Sequence, residues 1–137
     1  MSQAQLILAA LANQVNTASV NTVVNANAKL DMTVRTLAEV PLNEIIAVEE
    51  TTRGEVGGFD MYSFFVDLTC YYIDEPDSDT QKETLTKELK DAIGGDITLN
   101  GTCTCCHVRS VRYGGEFPLW EVILSLEILY EKEIANA

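Results

Sequence analysis

The chain has 137 residues, 47% of them hydrophobic and 22% charged, and its 21 acidic against 9 basic residues give a formal net charge of −12. That composition describes one globular domain over residues 1–137, large enough to bury a core without staples. It argues against sequence-independent nucleic-acid binding, which rests on Lys and Arg neutralising phosphates, and against docking on an anionic membrane surface.

In chain order, the opening MSQAQLILAALANQ has the form of a capping box, Ser2 followed by Gln5. Ala4, Ile7, Leu8, Leu11 and Val15 then make one apolar stripe, so an amphipathic helix is expected over about residues 3–14. The run LILAALA lacks a basic flank and is far shorter than the ~20 apolar residues of a membrane helix. It reads as a helix of a soluble protein in a reducing compartment, where the four cysteines stay thiols. The Asn-rich NTASVNTVVNANAK reads as loop. In KLDMTVRT, Leu30, Met32 and Val34 alternate with Lys29, Asp31, Thr33 and Arg35, the pattern of a half-buried strand.

Pro41 punctuates the entry to a buried run at 45–48, and Gly54, Gly57 and Gly58 mark a turn into a longer strand. That strand places Tyr62, Phe64, Val66, Leu68, Cys70 and Tyr72 on one face, a major part of the core at about 1.5–3 kcal/mol per large side chain buried. Pro76 and its acidic neighbours stop the strand, and Ser78 or Asp79 can cap a helix whose stripe is Leu85, Leu89, Ala92 and Ile93. Glu83 and Lys87 sit four apart in the favourable order, and Gly94 and Gly95 end the helix. Asp74, Glu75, Asp77 and Asp79 do not follow the spacing of an EF-hand loop; acidic residues at a helix N-terminus are stabilised by its dipole in any case.

The segment GTCTCCHVRSVRY concentrates Cys103, Cys105, Cys106 and the only histidine, His107. Read as a strand, it points Cys103, Cys105 and His107 one way and Cys106 the other, so the four cannot converge on one zinc ion. Cysteines as small strand residues are the favoured reading, with a disulfide to Cys70 possible if the two strands lie opposite. A zinc- or thiol-binding protein built on this cluster stays open as the alternative function. A thiolate–imidazole pair has no evident orienting carboxylate. A turn at YGGEFP leads to the last strand, where Trp120, Val122, Leu124, Leu126, Ile128 and Tyr130 alternate with mostly polar residues. No phosphate loop, nucleophile elbow or HExxH is present, and no acid/base pair can be placed, so no catalytic residue, bound metal or cofactor is expected.

The order of elements points to an α+β fold, a mainly antiparallel sheet of four to five strands with two helices packed on one face. The opposite face should then be polar, yet its positions include Phe65, Tyr71, Ile73, Ile123 and Leu129. A semi-apolar sheet face has either a few exposed hydrophobes or a partner, and self-association is the simplest partner.

This layout resembles the tail terminator proteins of long-tailed bacteriophages, also called tail completion or minor tail proteins. The likeness lies in the N-terminal helix, Pro41 leading into NEIIAVEE, the glycine loop, the aromatic strand YSFFVDLTCYY, the helix DTQKETLTKELKDAI and the closing strand LWEVILSLEILYEKE. It covers about residues 1–15 and 41–132; the Asn-rich segment and the cysteine cluster have no counterpart in it. The resemblance implies a non-enzymatic virion protein, made in the host cytoplasm; another phage neck or tail assembly protein, or an unrelated self-assembling α+β scaffold, stays open beside it. Six copies would form a ring on the head-proximal end of the tail, stop growth of the tube and present a surface to the head–tail connector. Its partners would be itself, the tail tube protein and the connector, with DNA passing through the ring and no sequence-specific contact. On that reading Phe65, Tyr71, Ile123 and Leu129 lie near neighbouring subunits. The glycine-rich loop with Arg53, Glu55, Val56 and Phe59 reaches for the tube or the lumen.

Overall fold

Alternation in three long strands decides how this chain layers. A computed structural model describes residues 2–18, 22–25, 42–56, 59–73, 79–116 and 119–133. Its elements are α1 (Gln3–Ala18), β1 (Thr22–Asn25), β2 (Leu42–Val56), β3 (Phe59–Ile73), α2 (Asp79–Gly94), β4 (Cys105–Glu116) and β5 (Leu119–Glu133). The strands form one sheet in the order β1-β2-β3-β5-β4, antiparallel except for the short parallel pairing of β1 with β2. The fold is the expected α+β arrangement.

The β3–β5 register explains where the core sits. Phe64 faces Ile128, Val66 faces Leu126, Leu68 faces Leu124 and Cys70 faces Val122, so the even-numbered residues of both strands share one face. These eight side chains are buried together with Ile7, Leu8, Leu11 and Val15 of α1 and Leu85, Leu89 and Ile93 of α2. Both helices therefore lie on that face, and each large apolar side chain contributes about 1.5–3 kcal/mol.

The capping box at the start of α1 is formed: the Gln5 amide donates to Ser2 Oγ at 3.2 Å, and the Ser2 amide donates to Gln5 Oε1 at 2.8 Å. α1 also reaches α2 through Gln14. Its Nε2 lies 2.8–3.1 Å from the carbonyl oxygens of Ala92 and Ile93, acceptors that the end of a helix leaves without intrahelical partners, and from that of Asp96 just beyond it.

Several expectations are corrected. The first helix runs on to Ala18, and the segment expected to be loop contains β1. The local Asn content favours loop, but TVVN is a β-branched core flanked by Asn, and pairing with residues 42–44 of β2 fixes it as a strand. Gly54 is not in the turn: it lies inside β2 beside a register irregularity, at a φ of 126° that glycine alone adopts readily. Tyr113, Gly114, Gly115 and Glu116, expected in a turn, extend β4 against β5. Lys87 pairs with Asp91 at 2.8 Å rather than with Glu83. The expected strand at 29–36, Pro41, the acidic residues 74, 75 and 77, and Ser78 lie outside the described residues.

Candidate interaction surface

Odd-numbered residues of β3 and β5 face away from the helices and carry most of the polar chemistry of the sheet. Two rows of bonds cross the strands there. In the first, Glu127 Oε2 on β5 accepts from Ser63 Oγ on β3 at 2.9 Å and from Arg53 Nη1 on β2 at 3.5 Å, while Glu127 Oε1 lies 3.2 Å from His107 Nε2 on β4. In the second, Ser125 Oγ donates to Asp67 Oδ1 at 3.2 Å, and Arg112 Nη2 on β4 reaches Asp67 Oδ2 at 3.3 Å. Arg109, at the β4 irregularity between Val108 and Ser110, lays its guanidinium over the Phe65 ring, 5.1 Å from the centroid.

Between these rows runs an open groove of about 680 Å³, lined by residues of β2, β3, β4 and β5 that include Val48, Glu49, Phe65, Arg109 and Arg112. It is a shallow surface rather than an enclosed pocket, and it carries two basic strand residues, one aromatic ring and the Ser125–Asp67 pair.

Of the residues expected at a subunit interface, Phe65, Ile123 and Leu129 are half-buried on this face, with Phe65 covered by Arg109. Tyr71 differs: only 6% of it is exposed, and its hydroxyl donates to Glu44 Oε1 at 2.9 Å in a site where Glu44 is fully buried. Burial first, and then the Glu44 carboxyl, push the phenol pKa upward. Tyr71 is thus an internal contact between β2 and β3. The expected loop is also shorter than its glycines suggest. Arg53, Glu55 and Val56 belong to β2 and Phe59 to β3, with Val56 opposite Phe59 in register, so only 57–58 connect the strands.

The cysteine cluster does not converge. β4 begins at Cys105, leaving Cys103 in the preceding turn, where its thiol approaches the Ile97 carbonyl. Cys106 is buried in the core opposite Ile128, whereas Cys105 and His107 take the polar face opposite Leu129 and Glu127. Burial, followed by the neighbouring thiols, pushes Cys106 up to about 12, and burial raises Cys103 to about 11. Those shifts oppose a reactive thiolate. Among the described residues, no group of three or more His, Cys, Asp or Glu side chains is placed to hold a metal ion. All four cysteines are free thiols. The Cys70 and Cys106 partners on β5, Val122 and Ile128, are six residues apart, roughly 20 Å, beyond disulfide reach.

The Glu127 and Asp67 rows were missed from sequence because each joins residues far apart in the chain, visible only once β2, β3, β5 and β4 are in register. The available signal was polar residues recurring on alternate positions of otherwise apolar strands.

No family model and no curated protein sequence matches this chain.

Proposed function

We propose that the protein is a structural subunit of a phage tail. On this reading it is a terminator that assembles as a hexameric ring on the head-proximal end of the tail tube, ends tube polymerisation and offers a surface to the head–tail connector. The observation that carries the reading is the order and pairing of the elements: an N-terminal helix, a long hairpin, a single helix, and a second long hairpin ending the sheet. That is the layout on which the resemblance to tail terminators rests. A sheet with both helices on one face and a cross-strand polar surface on the other also suits a subunit that meets neighbours through its sheet.

The reading assigns no catalytic step. Its chemistry is surface complementarity, and its specificity comes from matching the tube end and not from a bound small molecule.

The test is capping of purified tail tubes. Tubes polymerised with the protein present should stop growing and show one additional ring at one end by electron microscopy. Tubes that lengthen unchecked, with no protein at their ends, would rule the proposal out.

A further inference from the structure

Deepening the ring reading, and resting on it, we infer that neighbouring copies join head to tail, β4 of one against the outer side of β2 of the next, through opposite charge.

The two strands differ in sign. β2 contains Glu44, Glu49, Glu50 and Glu55 against Arg53; β4 contains Arg109 and Arg112 against Glu116. β4 is the only described element with a positive balance, in a chain whose net charge is −12. Charge of one sign placed on an acidic molecule matches the rest of that same molecule.

Among the described residues both strands are also open. β4 ends the sheet, and β1 covers only residues 42–44 of β2. Beyond that point residues 48–54 are exposed without interruption, on both faces of the strand. Each open strand carries an exposed large apolar side chain, Val48 at 56% and Tyr113 at 50%, and each has a register irregularity, between Ala47 and Glu49 in β2 and between Val108 and Ser110 in β4. Bulges and charges on edge strands ordinarily blunt sheet-to-sheet association. Here they blunt it selectively. Pairing β4 with β4 sets arginines against arginines, and pairing β2 with β2 sets glutamates against glutamates, so two-fold dimers are opposed. The mixed contact alone is attractive.

Direction agrees with this. Successive antiparallel pairings make β4 run opposite to β2 within one copy. When copies are related by rotation about an axis along the strands, β4 therefore meets the neighbour's β2 antiparallel, the commoner pairing. A repeated contact of this heterologous kind closes into a ring when the rotation divides a full turn.

Native mass spectrometry with sedimentation velocity tests the contact, using charge-reversed chains, their mixture and two milder variants beside the wild type. Arg109→Glu/Arg112→Glu and Glu49→Lys/Glu50→Lys are each expected to lower the oligomer fraction at fixed concentration by about tenfold or more. An equimolar mixture of the two should restore an oligomer of alternating chains, since each then meets the opposite sign. Circular dichroism checks that each variant is folded. Arg109→Gln and Glu49→Gln, which spare the Arg112–Asp67 and Tyr130–Glu50 bonds, should shift the equilibrium the same way more weakly.

Reversed chains that still assemble alone would overturn the inference, as would a mixture that stays monomeric while both components are folded. So would a wild type that is monomeric at every concentration, or one that binds a DNA duplex and loses it with the Arg109 and Arg112 reversal. The ring reading itself is judged separately, by capping of tail tubes. A tube-capping ring unaffected by charge reversal would sink the contact and leave that reading standing.

Discussion

Glu127 ties three neighbours to one carboxylate, but the three contacts differ in worth. Arg53 and His107 are each about half exposed, so their pairs with Glu127 are screened by solvent and contribute under about 1 kcal/mol each. Ser63 is buried, and its hydroxyl loses its acceptor if the carboxylate is removed, at a cost of about 1–3 kcal/mol. Glu127→Ala should accordingly destabilise more in urea unfolding than Arg53→Ala or His107→Ala; equal effects from all three would contradict this account. The buried thiols make a second prediction at the same scale. Burial, and then Glu88, hold Cys70 at about 12, and Cys106 is also raised to about 12, against an ordinary value of 9.0. A raised folded-state pKa means the native protein keeps protons that the unfolded chain has released, so stability is full below about pH 9 and falls as pH rises toward 12. Tyr71 and Tyr130, also raised, add to that loss at still higher pH. Melting temperature should therefore decline above pH 9, and Cys70→Ala should flatten the decline even where it lowers the temperature overall. An unchanged slope would show that the folded protein releases the Cys70 proton over the same range as the unfolded chain. The sequence marked Cys70 as a core position through alternation, yet nothing local in it distinguished a buried Cys106 from a half-buried Cys105 beyond the same parity.

Elements with a local signature were legible, and those set by partners were not. The Ser2–Gln5 box, the α2 stripe and the β3 and β5 alternation each repeat at the period of the structure they form, so sequence alone placed them. Ser2→Ala should cost about 0.5–2 kcal/mol of stability, with most of the loss at the α1 end, measurable by amide exchange of the first turn. β1 was unreadable because four residues carry no period, and the irregularities at Val48 and Arg109 were unreadable because a bulge is a relation between two strands. The turn before β4 shows a third kind of case. Asp96 accepts from the Thr98 amide and hydroxyl and from the Asn100 amide, bonds that hold its carboxyl below the ordinary range. They fix a run in which Leu99, Asn100 and Gly101 all have positive φ. Leu99 tolerates this because its side chain is fully buried in the core. Asn100→Gly should thus be near neutral, whereas Leu99→Gly, which relieves the backbone but empties the core site, should cost about 2–5 kcal/mol in thermal or urea unfolding. If Leu99→Gly were neutral instead, backbone strain would outweigh packing there.

At the scale of the whole molecule two electrostatic effects of different range compete. Copies that each carry −12 repel one another at a distance, and this repulsion is felt over roughly 30 Å at 0.01 M salt but only about 10 Å at 0.1 M. In the proposed contact between copies, the attraction between Arg109 or Arg112 and the glutamates of β2 would act only over a few ångströms and so survive at 0.1 M. Raising salt from about 0.01 M to 0.1 M should therefore strengthen self-association, since it removes more repulsion than attraction. Near 1 M the screening length falls to about 3 Å and the proposed contact pairs would weaken as well, leaving the exposed Val48 and Tyr113 and any backbone pairing to hold the copies. Assembly followed by sedimentation velocity should pass through a maximum at intermediate salt. A steady rise to 1 M would mark an interface that is apolar throughout, and a steady fall from 0.01 M would mean that contact attraction exceeds the long-range repulsion at every ionic strength. With Arg109→Gln and Arg112→Gln the high-salt fall should vanish while the low-salt rise persists, because the first comes from the β4 arginines and the second from the net charge of the whole chain.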